Sequence, residues 1–177
     1  YVQRGLEMKK IMLVVILIFG FVASAFGGPY EDWLSTCKDY KDVAKWMQKD
    51  FSYDMTKLRK VAGTTGQYPV PPEESFKQKT GVCYDASLLI KQSLNTINPE
   101  YKAELIFLDN RPYNTNHFVC GFYLRNELWV MDYGTPVPSM IGTFGPFKDL
   151  DDYHKNNYLR YHPKVKSGKV DLGWPQK

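Results

Sequence analysis

Thr80-Gly81-Val82-Cys83-Tyr84-Asp85-Ala86-Ser87-Leu88-Leu89 joins a glycine turn to an apolar-periodic run, with a cysteine at the junction. Cys83, Ser87, Ile90, Leu94 and Ile97 follow steps of four, three, four and three, which predicts one stripe of a helix opened by Cys83. Backbone N–H groups in the first turn of a helix lack intrahelical partners. The positive end of the helix dipole also favours a thiolate there. A cysteine so placed is primed as a nucleophile, provided a base and an orienting acceptor lie nearby.

Upstream, Trp33, Leu34, Cys37, Tyr40, Val43, Ala44 and Met47 recur at helical spacing, which predicts one amphipathic helix from Tyr30 to Asp50. Phe51-Ser52-Tyr53-Asp54 ends it. Val61 to Pro72 is rich in glycine and proline and is expected to be a loop. Glu73 to Gln78 follows as a short helix that Gly81 terminates. Downstream, Asn98-Pro99 breaks the central helix. The period then changes. Strands are expected at Tyr101–Leu108, Asn116–Leu124 and Leu128–Tyr133, with a polar turn at Asp109–Thr115 and a tight hairpin at Arg125-Asn126-Glu127. A short helix is expected at Leu150–Asn156, and the chain from Tyr161 on is irregular by composition. Helices first and consecutive antiparallel strands after them predict an α+β fold, with the cysteine-bearing helix packed on the sheet.

His117 begins the second of these strands and Asp132 lies near the end of the third. Strand side chains alternate faces. A hairpin loop with an even number of residues puts His117 and Asp132 on one face, diagonal to each other across the ladder. An odd loop without a bulge would separate them. If the helix of Cys83 packs on that face, sulfur, imidazole and carboxylate converge. The thiolate is then the nucleophile, His117 carries the proton to the leaving group, and Asp132 fixes the imidazole tautomer. The backbone N–H of Cys83 offers one oxyanion contact; the second donor is not identified. Each residue alone also has an ordinary structural reading: a small buried thiol, a satisfied strand histidine, a turn aspartate. Three separated single residues lack the paired spacing of a zinc site. His154 and His162 sit in polar surroundings and are expected at the surface.

The segments Gly81-Val82-Cys83-Tyr84-Asp85-Ala86, Asn116-His117-Phe118-Val119 and Trp129-Val130-Met131-Asp132-Tyr133-Gly134 resemble the transglutaminase-like superfamily over about Glu73 to Pro136. The resemblance implies a papain-like core with Cys83, His117 and Asp132 as a catalytic triad in that chain order. It is similar to the bacterial, exported cysteine peptidases of this type. Two departures stand out: Val119 occupies a position where many members carry Trp, and neither the flanking domains of animal transglutaminases nor a calcium-loop pattern is found in the chain. Both speak against a calcium-regulated crosslinking enzyme. No cofactor and no metal are expected.

The first 25 residues read as upstream sequence and a signal peptide, and residues 26–177 as one domain. Met8-Lys9-Lys10, the apolar run Ile11–Val22 and Ala23-Ser24-Ala25 predict cleavage after Ala25 and a secreted or periplasmic product. An uncleaved membrane helix is the competing reading, and the run is short for one, since a span takes about 20 residues. Removing Arg4, Lys9, Lys10 and Glu7 takes the formal charge from +4 to +2, and no basic stripe argues for nucleic acid. Export permits disulfides. Cys37 and Cys120 could pair if Cys83 is the working thiol, or stay as buried free thiols.

The function expected first is an exported cysteine-dependent enzyme acting on peptide or protein amide bonds through an acyl-thioester, with hydrolysis favoured over transamidation. The expected partner is a peptide or protein substrate or a cell-envelope component, with no stable membrane anchor once the signal is removed. The alternatives are an inactive module of the same fold that binds peptide or cell-wall components through Tyr84, Tyr113, Trp129 and Tyr133, and a papain-like hydrolase or acyl transferase of the cell wall.

Overall fold

The computed structural model describes residues 27–61, 70–109, 116–161 and 169–172. Two short helices open the described chain, α1 (Pro29–Thr36) and α2 (Tyr40–Asp50). The single helix expected across this stretch is therefore broken. Asp39 explains the break: its carboxylate accepts from Lys41 N at 2.8 Å, as an N-cap does, and Asp42 reaches back to Lys38 N at 2.7 Å. The apolar period runs across the break and hides it.

Strand β1 (Ser52–Tyr53) follows, then α3 (Met55–Val61), α4 (Pro72–Gln78) and β2 (Thr80–Gly81). β1 and β2 pair in parallel, Ser52 opposite Thr80 and Tyr53 opposite Gly81. Neither these strands nor α3 were legible in the local pattern, because two-residue strands have no period to detect. The expected loop at Val61–Pro72 lies largely outside the described residues, and its ends belong to α3 and α4. α4 stops at Lys79, which adopts φ 55°, and not at Gly81.

The central helix α5 runs Cys83–Ile97 and stops at Asn98, where Pro99 opens a 3-10 turn to Tyr101. Its buried face carries Ala86, Leu89, Ile90, Ser93 and Leu94. Strands β3 (Glu104–Asp109), β4 (His117–Leu124), β5 (Glu127–Asp132), β6 (Gly142–Phe147) and β7 (Lys169–Leu172) form one sheet in the order β6-β5-β4-β3-β7, each pair antiparallel. The polar turn expected between β3 and β4 and His162 lie outside the described residues. The β4–β5 turn is the two residues Arg125 and Asn126, both at positive φ (52° and 67°), so Leu124 faces Glu127. A 3-10 turn, Pro138–Met140, precedes β6. After β6 come α6 (Leu150–Tyr153), one π-helical turn (His154–Tyr158) and α7 (Leu159–Tyr161).

The sheet has an apolar layer on each face. On one, Cys120, Phe122, Met131 and Tyr133 pack with Ala86, Leu89, Ile90 and Leu94 of α5 and with Val43 and Met47 of α2. On the other, Ile106, Leu108, Val119 and Val130 pack with Met140, Tyr153 and Tyr158. α5 is further pinned to its neighbours by polar contacts. The Tyr30 and Ser93 hydroxyls lie 3.0 Å apart, and Asn95 exchanges two hydrogen bonds with the Ala103 backbone at 2.9 and 2.7 Å. Cys37, Cys83 and Cys120 are all free thiols.

Candidate active site

Cys83 is the first residue of α5 and is half-buried. Val82 before it is extended, with φ −96° and ψ −179°, and its N–H donates to Asp85 Oδ2 at 2.9 Å. Asp85 is fully buried and holds more than its own helix. Lys57 of α3 forms an ion pair with the same oxygen, and Val70 N donates to Oδ1 at 2.9 Å. One carboxylate therefore fixes the entry of α5, the helix α3 and the backbone just before α4. Gly81 leaves it room: a Cβ there would lie 2.7 Å from Asp85 Cβ. The Cys83 N–H has no intrahelical acceptor at this position and is left to the site.

The two-residue hairpin meets the condition for pairing His117 with Asp132. Cys120 faces Met131, so continuing that register sets Asp132 beside Val119, and His117 is diagonal to it on the same face. His117 Nε2 and Asp132 Oδ2 are 2.7 Å apart, both groups buried. One expectation needs correction. α5 packs on the opposite face of the sheet, with Cys120, Phe122 and Met131, and not on the face of His117. Cys83 instead comes near His117 past the end of the strands, at Gly134. Gly134 makes this possible. The same register continued puts Gly134 opposite His117, and a Cβ on Gly134 would lie 2.5 Å from Cys83 Cα and 3.1 Å from its carbonyl oxygen. Only a residue without a side chain lets the helix start approach this closely.

Electrostatics follow from the geometry. Burial alone would strip the proton from His117. The charge and hydrogen bond of Asp132, joined by a hydrogen bond and charge from Cys83, outweigh it and raise the imidazole to about 10. Because Nε2 is given to Asp132, Nδ1 is the nitrogen left for the sulfur. Asp132 Oδ1 is buried and has no hydrogen-bond partner among the described residues. The Tyr158 ring lies nearly parallel to His117, at 13° and 6.3 Å between centroids, and His154 also stacks on Tyr158, at 5.8 Å and 21°.

His154 is thus a buried residue and not the surface one expected. Burial lowers its pKa. Tyr84, Trp129 and Tyr133 are packing residues more than an open aromatic cleft. Tyr84 is buried and stacks on Phe118 at 4.6 Å, Trp129 lies 6.3 Å from Tyr40, and the buried Tyr133 has its hydroxyl 3.3 Å from that of Thr143. Tyr113 lies outside the described residues. Pattern reasoning missed Lys57 and Tyr158. Asp85 alone gave a signal, a carboxylate in the first turn of a helix.

A family model described as a transglutaminase-like domain matches residues 34–157. Among curated proteins, the UPF0252 protein PH1321 of Pyrococcus horikoshii is 27% identical over 88 residues, which is 49% of this chain and 24% of that protein. The chain thus spans about a quarter of the length of that relative. Solved structures of Legionella pneumophila LapG are also similar. The EGTA-treated form gives a TM-score of 0.45 at 16% identity, covering 71% of this chain and 79% of that one. The calcium-bound form gives 0.46 at 15%, covering 71% and 81%. A third gives 0.46 at 16%, covering 81% and 92%.

Proposed function

The chain belongs to the transglutaminase-like domain family, and from that premise we propose that it is a cysteine-dependent enzyme that cleaves amide bonds of peptides or proteins through an acyl-thioester. Residues 26–177 form one catalytic domain, exported after cleavage at Ala25. Residues 1–26 lie outside the described chain, so export rests on the leader pattern alone. The observation that carries the reading is the 2.7 Å contact of His117 Nε2 with Asp132 Oδ2, with the Cys83 backbone packed against Gly134 opposite the same histidine.

In this reading the Cys83 sulfur is activated by His117, whose imidazolium is held by the Asp132 carboxylate. The Cys83 sulfur attacks the substrate carbonyl carbon. A C–S bond forms and the carbonyl electron pair moves to oxygen. When the intermediate collapses, the C–N bond breaks and His117 gives its proton to the departing amine. Neutral His117 then takes a proton from water, whose oxygen attacks the thioester and frees the sulfur. An amine in place of water would give transamidation. Hydrolysis is placed first because Cys83 is half-open to solvent and amine transfer requires water to be excluded.

The test is to incubate the full chain with a mixed peptide library and dansylcadaverine. Free new amino termini, lost in Cys83→Ala, are expected. Dansyl incorporation in their place would move the assignment to transamidation, and neither product would refute an enzymatic role.

A further inference from the structure

The site as described supplies one oxyanion donor, the Cys83 N–H, and a tetrahedral intermediate is served best by two or more. The parallel pair β1–β2 brings a candidate for the second. Tyr53 stands opposite Gly81, two residues before Cys83, and Asp54 N donates to Gly81 O at 2.8 Å, so β1 is tied to the approach of α5. Residues opposite each other on parallel strands project to the same face. On that face Gly81 carries no side chain, and a Cβ there would run into Asp85. Tyr53 therefore projects toward the first turn of α5.

We propose that the Tyr53 hydroxyl is the second oxyanion donor of the site, acting with the Cys83 N–H on the carbonyl oxygen under attack. This rests on the acyl-thioester reading given above. Tyr53 is half-buried, and its hydroxyl has no hydrogen-bond partner among the described residues. Burial first, then the negative charges of Cys83, Asp132 and Asp85, hold its pKa far above that of an ordinary phenol. Together they keep the phenol protonated, and so a donor, at every pH at which the enzyme works. Asp132 takes no part as its acceptor in this account: the phenol waits for the oxyanion. When the sulfur attacks, the C=O pair becomes an oxyanion that the Tyr53 O–H and Cys83 N–H bind. Collapse returns that pair to the carbonyl and expels the leaving group, and Tyr53 keeps its proton throughout.

The test compares two reactions at one sulfur. Alkylation by iodoacetamide displaces iodide and develops no oxyanion on an attacked carbonyl. Acetylation by p-nitrophenyl acetate passes through a tetrahedral oxyanion. In the full-length Tyr53→Phe chain, acetylation of Cys83 is expected to slow about 10²–10³-fold, while alkylation of Cys83, mapped by mass spectrometry, stays within twofold of the native chain from pH 6 to 9. Equal acetylation in the two chains would overturn the proposal. So would a parallel loss of both reactions, or a displaced alkylation profile, since either makes Tyr53 a support for the thiol or for Asp132. If the native chain itself is not acetylated at Cys83, the acyl-thioester reading has failed and not the assignment of Tyr53.

Discussion

Gly134→Ala should damage the site through geometry alone. The new Cβ would stand 2.5 Å from Cys83 Cα, 3.0 Å from Ala86 Cβ and 3.1 Å from Cys83 O. Ordinary contact begins near 3.4 Å. Two of the three neighbours are backbone and cannot rotate away. The first turn of α5 must therefore withdraw from β5 by about 1 Å, a displacement that costs on the order of 10²-fold in catalysis. Overpacking of this kind destabilises by about 1–3 kcal/mol. The assay is acetylation of Cys83 by p-nitrophenyl acetate together with urea unfolding, in Gly134→Ala and in Gly134→Ala/Ala86→Gly. The second change removes the Ala86 clash but leaves the Cys83 backbone in the way, so stability should recover in part and acetylation should not. A Gly134→Ala chain that acetylates at the native rate would refute the claim that this glycine sets the sulfur's position. Full recovery of the rate in the double variant would refute the claim that the Cys83 backbone is the limiting contact.

Asp85→Ala strands Lys57, Val82 N and Val70 N around a buried vacancy, and should cost about 3–5 kcal/mol, read as a fall in Tm on the order of 10 °C; a loss under 1 kcal/mol would deny Asp85 its role as anchor. Asp39→Ala removes the cap of α2 and should cost about 1 kcal/mol in urea unfolding, with acetylation of Cys83 unaltered; no loss of stability would refute the cap as the cause of the break between α1 and α2. His117 is raised to about 10 in the folded chain, so its contribution to stability is full below its ordinary value near 6.5 and is lost as pH climbs through about 10. Unfolding measured from pH 6 to 11 should show that loss in the native chain and a weaker one in Asp132→Asn; parallel curves would refute the pairing. Export should give a product beginning at Phe26 by intact mass, and retention of the leader on a membrane-bound chain would favour the uncleaved reading.

The fold and the site were legible in different degrees, for physical reasons. The helix of Cys83 and strands β3, β4 and β5 announce themselves, because each is long enough to show its period and is bounded by glycine, proline or a polar turn. The approach of His117 to Asp132 was legible because the side-chain period of a strand is two and the hairpin loop has two residues. The face on which α5 packs was not, since both faces of this sheet are covered and the alternation carries no polar side to mark one of them. The cut between α1 and α2 was hidden by an unbroken apolar stripe, although Asp39 and Asp42 were there to be weighed as a cap. β1 and β2 are too short to have a pattern, and with them went Tyr53. Lys57 and Tyr158 come to the site from helical segments distant in sequence, and no local signal joins them to Cys83. His154 appears polar in sequence because Asp151, Asp152 and Lys155 surround it, yet the π-helical turn rotates it inward against Tyr158.

The proposed chemistry depends most directly on the protonation of His117, which nitrogen-15 NMR of the imidazole can follow. In the native chain this ring should remain an imidazolium well above pH 7, and its titration should move down in Asp132→Asn and, to a smaller extent, in Cys83→Ala. A His117 that titrates near 6.5 in all three chains would contradict the joining of sulfur, imidazole and carboxylate on which the proposed chemistry depends.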